Sequence, residues 1–195
     1  MAYLPWLRNL SRRERLRPRA DRDDEHLREM FNAARDGDIY QLNAALETLA
    51  QSREQININM LHIPTGSDIS WTPLHAAVDG GHFDMVTLLI ALGADLEACE
   101  GFMGGALTPF HLAVKSGSPA MVRFLLDSGA DAHAHWYDRQ DYGIATFLAI
   151  GPDREPEATI EVVDMLLDRG LDINEPSPWY SLNRLYITAS NHQQS

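Results

Sequence analysis

Cysteine is nearly absent from this chain, with Cys99 the only one among 195 residues. A single thiol makes no intrachain disulfide and builds no thiolate metal cluster, and a reducing compartment is the simplest setting for such a sequence. Long apolar runs are missing as well. No stretch approaches the roughly 18 to 20 uninterrupted apolar residues of a membrane span. The opening Met1-Ala2-Tyr3-Leu4-Pro5-Trp6-Leu7-Arg8 is too short, and too broken by Pro5 and Arg8, for the apolar region of a secretory signal. These absences predict an intracellular protein, cytoplasmic or nuclear.

The signatures of catalysis are also lacking. There is no Gly-rich phosphate loop, no G-x-S-x-G and no H-E-x-x-H. Carboxylates are spread over presumptive helix ends and turns, so no pair is set for general acid–base work. His133 and His135 lie near Asp131 and Asp138, but a metal site needs a third ordered ligand and a supporting shell, which the pattern does not supply. Cys99 reads as a half-buried, inert thiol. No enzymatic activity, no cofactor and no bound metal are expected.

Positive charge is scarce outside one end. The net charge is −12 overall; residues 1–25 hold seven arginines against five acids, while residues 26–195 hold nine basic residues against 23 acidic ones. Nucleic-acid affinity rests on Lys and Arg displacing counterions from phosphate, so an acidic body is a poor nucleic-acid binder. A protein partner carrying basic residues is the better expectation.

What the chain does have is apolar material, at 45% of residues, arranged with a period. Thr72-Pro73-Leu74-His75-Ala76-Ala77-Val78 opens a helix: the Thr hydroxyl suits an N-cap, and Pro at the first helical position forfeits no hydrogen bond. Gly80-Gly81 ends it. A second helix then places Val86, Leu89 and Ile90 at i, i+3 and i+4, and Gly93 fits the positive-φ position past its end. Thr108-Pro109-Phe110-His111-Leu112-Ala113-Val114 repeats this opening 36 positions later. Val122, Leu125 and Leu126 repeat the apolar face, and Gly129-Ala130-Asp131 repeats Gly93-Ala94-Asp95, at the same spacing. Neither helix is long enough to stand alone in water, so each pair must bury its apolar face on a neighbour.

Two in-register copies of T-P-L/F-H with the Gly-Ala-Asp turn resemble ankyrin repeats, whose unit is a β-turn plus two antiparallel helices. The resemblance implies an all-α fold, a solenoid of antiparallel helix pairs with extended β-turn fingers. It also implies that His75 and His111 are structural, linking the Thr hydroxyl to neighbouring backbone. About four repeats are expected. An Arg-rich tail fills 1–25, a diverged first repeat with a long finger 26–70, intact repeats 71–107 and 108–143, a degenerate fourth 144–175, and a cap and tail 176–195. In the first repeat Phe31, Ala33, Gly37, Leu42 and Leu46 stand 44 positions before His75, Ala77, Gly81, Val86 and Ile90. Ile56-Asn57-Ile58-Asn59 alternates like a short strand. In the fourth, Val163, Leu166, Leu167 and Gly170 stand 41 positions after Val122, Leu125, Leu126 and Gly129, with a second helix over about 157–169. Trp179, Leu182, Leu185 and Tyr186 would cover the open end of the stack.

Ankyrin repeats generally act as interaction scaffolds, with variable positions at the end of the first helix and in the fingers. By position the resemblance assigns partner binding to Asp79, Gly80, Lys115 and Ser116 at helix ends, and to Phe102, Met103, Trp136 and Tyr137 at finger tips. The expected protein is a monomeric adaptor or inhibitor masking a basic partner. Two other roles fit the charge distribution: a tethering module that uses its Arg-rich tail for targeting, and an immunity-type neutraliser of a basic toxin.

Overall fold

The computed structural model describes residues 25–51, 58–59, 61–62, 70–100, 107–138, 141–143, 145, 149 and 155–172. The expectations placed on the tail, on Ile56 and Asn57, on Phe102 and Met103, and on residues 173–195 lie outside them. Seven helices and one hairpin are formed among the described residues, in two compact units, Met1–Met103 and Gly104–Ser195.

The first unit holds two antiparallel helix pairs. These are α1 (Glu25–Asp36) with α2 (Ile39–Gln51), and α3 (Pro73–Asp79) with α4 (Phe83–Ala91). The core runs through Met30, Phe31, Leu42, Leu74, Met85, Val86 and Leu89, and α1 packs on both α2 and α3. Helix α3 has seven residues, of which Pro73 to Val78 are all buried. So short a helix owes its existence to burial and to its cap. The His75 amide donates to the Thr72 hydroxyl oxygen at 3.4 Å while the Thr72 amide donates to His75 Nδ1 at 3.3 Å. This is a capping box in which imidazole takes the place of the usual Glu or Gln.

The second unit rebuilds the same pair as α5 (Pro109–Ser116) and α6 (Pro119–Asp127). Thr108 and His111 form the same box at 3.4 and 3.2 Å. Because His111 Nδ1 accepts a backbone N–H, the neutral ring carries its proton on Nε2, which donates to the Ala134 carbonyl at 2.9 Å. The helix start is thereby fastened to the base of the following finger. That finger continues into an antiparallel hairpin of β1 (Trp136–Asp138) and β2 (Asp141–Gly143), with Tyr137 opposite Tyr142. Helix α7 (Pro156–Asp168) packs on α6.

Turn geometry follows the sequence period closely. Gly37, Gly81 and Gly117, between the helices of each pair, have φ of +72°, +72° and +69°. This left-handed conformation costs an L-residue roughly 1–2 kcal/mol. Past the second helices, Ala94, Ala130 and Leu171 donate back to Leu89, Leu125 and Leu166 at 2.9, 3.0 and 3.2 Å, and the glycine before each has positive φ. The buried face of α7 is Val162, Met165 and Leu166. Leu167, which the spacing aligns with the buried Leu126, is 41% exposed.

One local expectation is corrected. Ile58 and Asn59 lie in a turn, not a strand, because the Asn59 side chain is engaged with the next finger. Its Oδ1 accepts from the Asp95 amide at 2.7 Å and its Nδ2 donates to the Gly93 carbonyl at 3.3 Å. The extended pairing of the first finger is made by His62 and Trp71, whose backbones exchange two bonds of 2.8 Å. Asp95 and Asp131 then repeat each other, each accepting from the amide two residues on, at 3.0 and 2.9 Å.

Candidate partner-binding surface

The signature residues that look most chemical in the sequence are used up inside the fold. Thr72, His75, Thr108 and His111 are all at most 3% exposed, with the Thr hydroxyls and both imidazole Nδ1 atoms committed to caps and the His111 Nε2 to Ala134. A ligand does not reach them.

The opposite ends of the first helices face solvent. Asp79 ends α3 and is exposed, as are Lys115 and Ser116 at the end of α5. The Ser116 hydroxyl donates to the Ala113 carbonyl of its own helix at 2.9 Å, which leaves its oxygen to accept. Arg35, Asp79 and Lys115 occupy one position of the repeat, with charges of alternating sign. Arg35 is paired with Asp36 at 2.9 Å, and the hydrogen bond from its guanidinium, followed by its charge, holds the Asp36 carboxyl below its ordinary range.

Gly80 has a structural explanation of its own. Its φ of −72° needs no glycine, but a Cβ built there would stand 2.6 Å from the His82 ring and 2.7 Å from the Arg35 carbonyl. His82 fills a slot between Gly80 and Gly37, and its Nε2 lies 3.0 Å from that carbonyl oxygen. Gly80 is a packing position first and a contact position only at its open side.

The fingers divide similarly. Trp136 and Tyr137 are the first residues of β1, paired through their backbones with Gly143 and Tyr142. The second strand is the element that sequence reasoning missed. Its signal was in the sequence, where Tyr137-Asp138 and Asp141-Tyr142 mirror each other two residues apart, a spacing that suits a hairpin. In the first unit the Trp71 indole donates to Glu100 at 2.9 Å, and Glu100 is only 6% exposed, so a carboxylate is buried at the base of a finger. The His62 ring lies against Phe31, 4.9 Å between centroids and tilted by 44°. Burial, and secondly the charge of Arg28, push its pKa below 6.5.

The structure brings Asp79 and Gly80 together in one unit, and Lys115, Ser116, Trp136 and Tyr137 into the other. Within the second unit Lys115 and Ser116 end α5, whereas the start of that helix is the end tied to the finger, through His111 and the Ala134 carbonyl two residues before Trp136. His133 stands 3.8 Å from Asp131, both well exposed, and among the described residues no three metal-ligating side chains converge.

The family model for ankyrin repeats matches residues 30–135 in three copies, more than half of the chain. This chain is an ankyrin-repeat protein. Ankyrin repeats mediate protein–protein interaction and are typically non-enzymatic. None of the curated proteins compared with this ankyrin chain matches it. Among its described residues no helix is long and apolar enough to cross a membrane.

Proposed function

We propose that this ankyrin-repeat protein is a non-enzymatic adaptor or inhibitor. Asp79, Gly80, Lys115 and Ser116 at the helix ends, with Phe102, Met103, Trp136 and Tyr137 in the fingers, would form its contact surface for a protein partner bearing basic residues. The observation that carries the reading is the division of labour along α3 and α5. The Thr–His end of each helix is buried and saturated, whereas the far end presents exposed side chains on an already ordered scaffold. Binding to a preordered surface loses little conformational entropy, and the excess of carboxylates would steer a cationic partner.

The repeat boundaries belong to the same reading: 26–70, 71–107, 108–143 and 144–175, with α7 as the second helix of the fourth. The Gly170 turn and the Leu171 to Leu166 bond, matching those at Gly93 and Gly129, support it.

The test starts from affinity purification of the full chain with mass spectrometry to supply a partner. Phe102→Ala and Trp136→Ala are then each expected to weaken that complex by more than about 2 kcal/mol, the scale of a hot-spot residue, with the melting temperature unchanged. Undiminished binding by both variants would remove the fingers from the interface.

A further inference from the structure

Helix α7 carries an exposed face of its own. Beside its joint with α6 opens a groove of about 460 Å³, with Arg123 on the α6 side and Ile160 and Met165 as the apolar part of its lining. Ile160 is 60% exposed, whereas Met165 belongs to the buried face of α7. Glu157, Glu161, Asp164 and Asp168 complete the lining, and all four are exposed. At i, i+4, i+7 and i+11 they share one side of the helix, over roughly 17 Å at 1.5 Å per residue.

The repeat framework asks for none of these carboxylates. At the spacing of 41 that aligns α7 with α6, their equivalents are Ser116, Ala120, Arg123 and Asp127. The row is also poorly compensated. Like charges four residues apart repel on a helix surface, and Asp168 ends α7, where the carbonyl end of a helix disfavours negative charge. The last turn of α7 holds no basic residue. Arg123 pairs with Glu161 at 3.1 Å, and Arg169, just past the helix, is turned to Asp127 and the Leu126 carbonyl. Among the described residues Glu157, Asp164 and Asp168 are left without a cation.

We propose that this groove docks a basic amphipathic helix of a partner protein. A Leu-sized side chain of that helix covers Ile160, and its Lys or Arg side chains face Glu157, Asp164 and Asp168. Charge complementarity selects this occupant. Cations repeating with the helical period stay opposite carboxylates that repeat with the same period, so one facing helix satisfies the whole row. A wholly polar cation would leave Ile160 in water, whereas an amphipathic one removes its apolar area from solvent. The groove uses none of the helix-end or finger residues, so it stands independently of the contact surface proposed above.

Fluorescence anisotropy with the full chain tests this. The probe is a labelled, Ala-rich helical peptide of about fifteen residues, long enough to be partly helical, with Lys at i, i+4, i+7 and i+11 and Leu at i+3. A peptide of identical composition, with Lys and Leu shuffled off that face, should bind at least about tenfold more weakly. Combining Glu157→Lys with Asp164→Lys should weaken binding of the patterned peptide by about tenfold or more, and Ile160→Ser by about threefold. The same reversals at Glu47 and Asp84, exposed acids of the first unit, should change it by less than about twofold. Failure of the patterned peptide to bind, or binding that survives the groove reversals, would overturn the proposal. So would equal affinity for the two peptides, or equal losses from reversals at the groove and at Glu47 and Asp84, since either means general attraction to an acidic protein.

Discussion

Neighbouring elements are joined differently in the two units. In the first, α1 and α2 are locked to α3 and α4 by a ring in a slot, with His82 filling the space that two glycines leave. In the second, α7 is tied to α6 by arginines at the surface. Arg123 meets Glu161 at 3.1 Å, and Arg169 meets Asp127 at 2.8 Å while also donating to the Leu126 carbonyl at 3.2 Å. The turns themselves share a backbone, but their residues are spent differently. Asp38 and Ser118 cap their own helices, whereas His82 makes no side-chain cap because its ring serves the neighbouring pair. One fold can thus be joined by shape or by charge, and only the second kind of joint should feel salt.

Removing core volume tests whether the two units contribute equally to stability. Leu89 and Leu125 are equivalent and fully buried, so Leu89→Ala and Leu125→Ala should each cost about 2–5 kcal/mol by leaving a cavity. Chemical denaturation of both variants measures this, and unequal losses would rank the units.

The slot itself is tested by Gly37→Ala. It should lose about 2–4 kcal/mol, combining a left-handed backbone with a methyl driven into the His82 ring. Gly81→Ala shares that backbone, but its Cβ would meet nothing within 4 Å, and it should lose only about 1–2 kcal/mol. Equal losses would mean that the ring yields and that shape does not hold the joint.

At the charged joint, Arg169→Ala should cost about 1 kcal/mol and Arg123→Ala less, since exposed pairs contribute little. Both differences should shrink in 1 M NaCl, whereas the Gly37→Ala loss should not. Salt-independent differences would assign the arginines a packing role through their stems.

The smallest effect expected is on pH dependence. His62 has a lowered folded pKa, so the unfolded chain binds a proton first as the pH falls. Stability is full above about 6.5 and declines as the pH drops from there through the folded value. In melting-temperature measurements between pH 7.5 and 5, His62→Gln should decline less steeply than the unsubstituted protein. A steeper decline would reverse the sign argued here.

Much of the helical framework was legible because it depends on neighbours in sequence. Thr72 and His75 find each other across three residues, and Pro73 and Pro109 sit where a helix start has no N–H to lose. The candidate surface was less so. Lys115 and Asp79 could be placed at helix ends by counting, but the hairpin that sets Trp136 and Tyr137 depends on a strand pairing that helical periodicity does not report. Gly80 was read as a helix stop with a contact role; its conformation is ordinary, and its small size matters only because a ring from the following turn occupies the space beside it.

The 36-residue echo of Thr72–Asp95, read alone, determined the helix starts, the left-handed turns and the family. Caps and glycine turns are closed by interactions within one or two turns of chain, so residue type and spacing suffice. Tertiary structure decided the rest. His82 reaches Arg35 across 47 residues, Asn59 reaches Asp95 across 36 and Arg169 reaches Leu126 across 43. No local rule fixes such distances, because they exist only once one helix pair has been laid against the next.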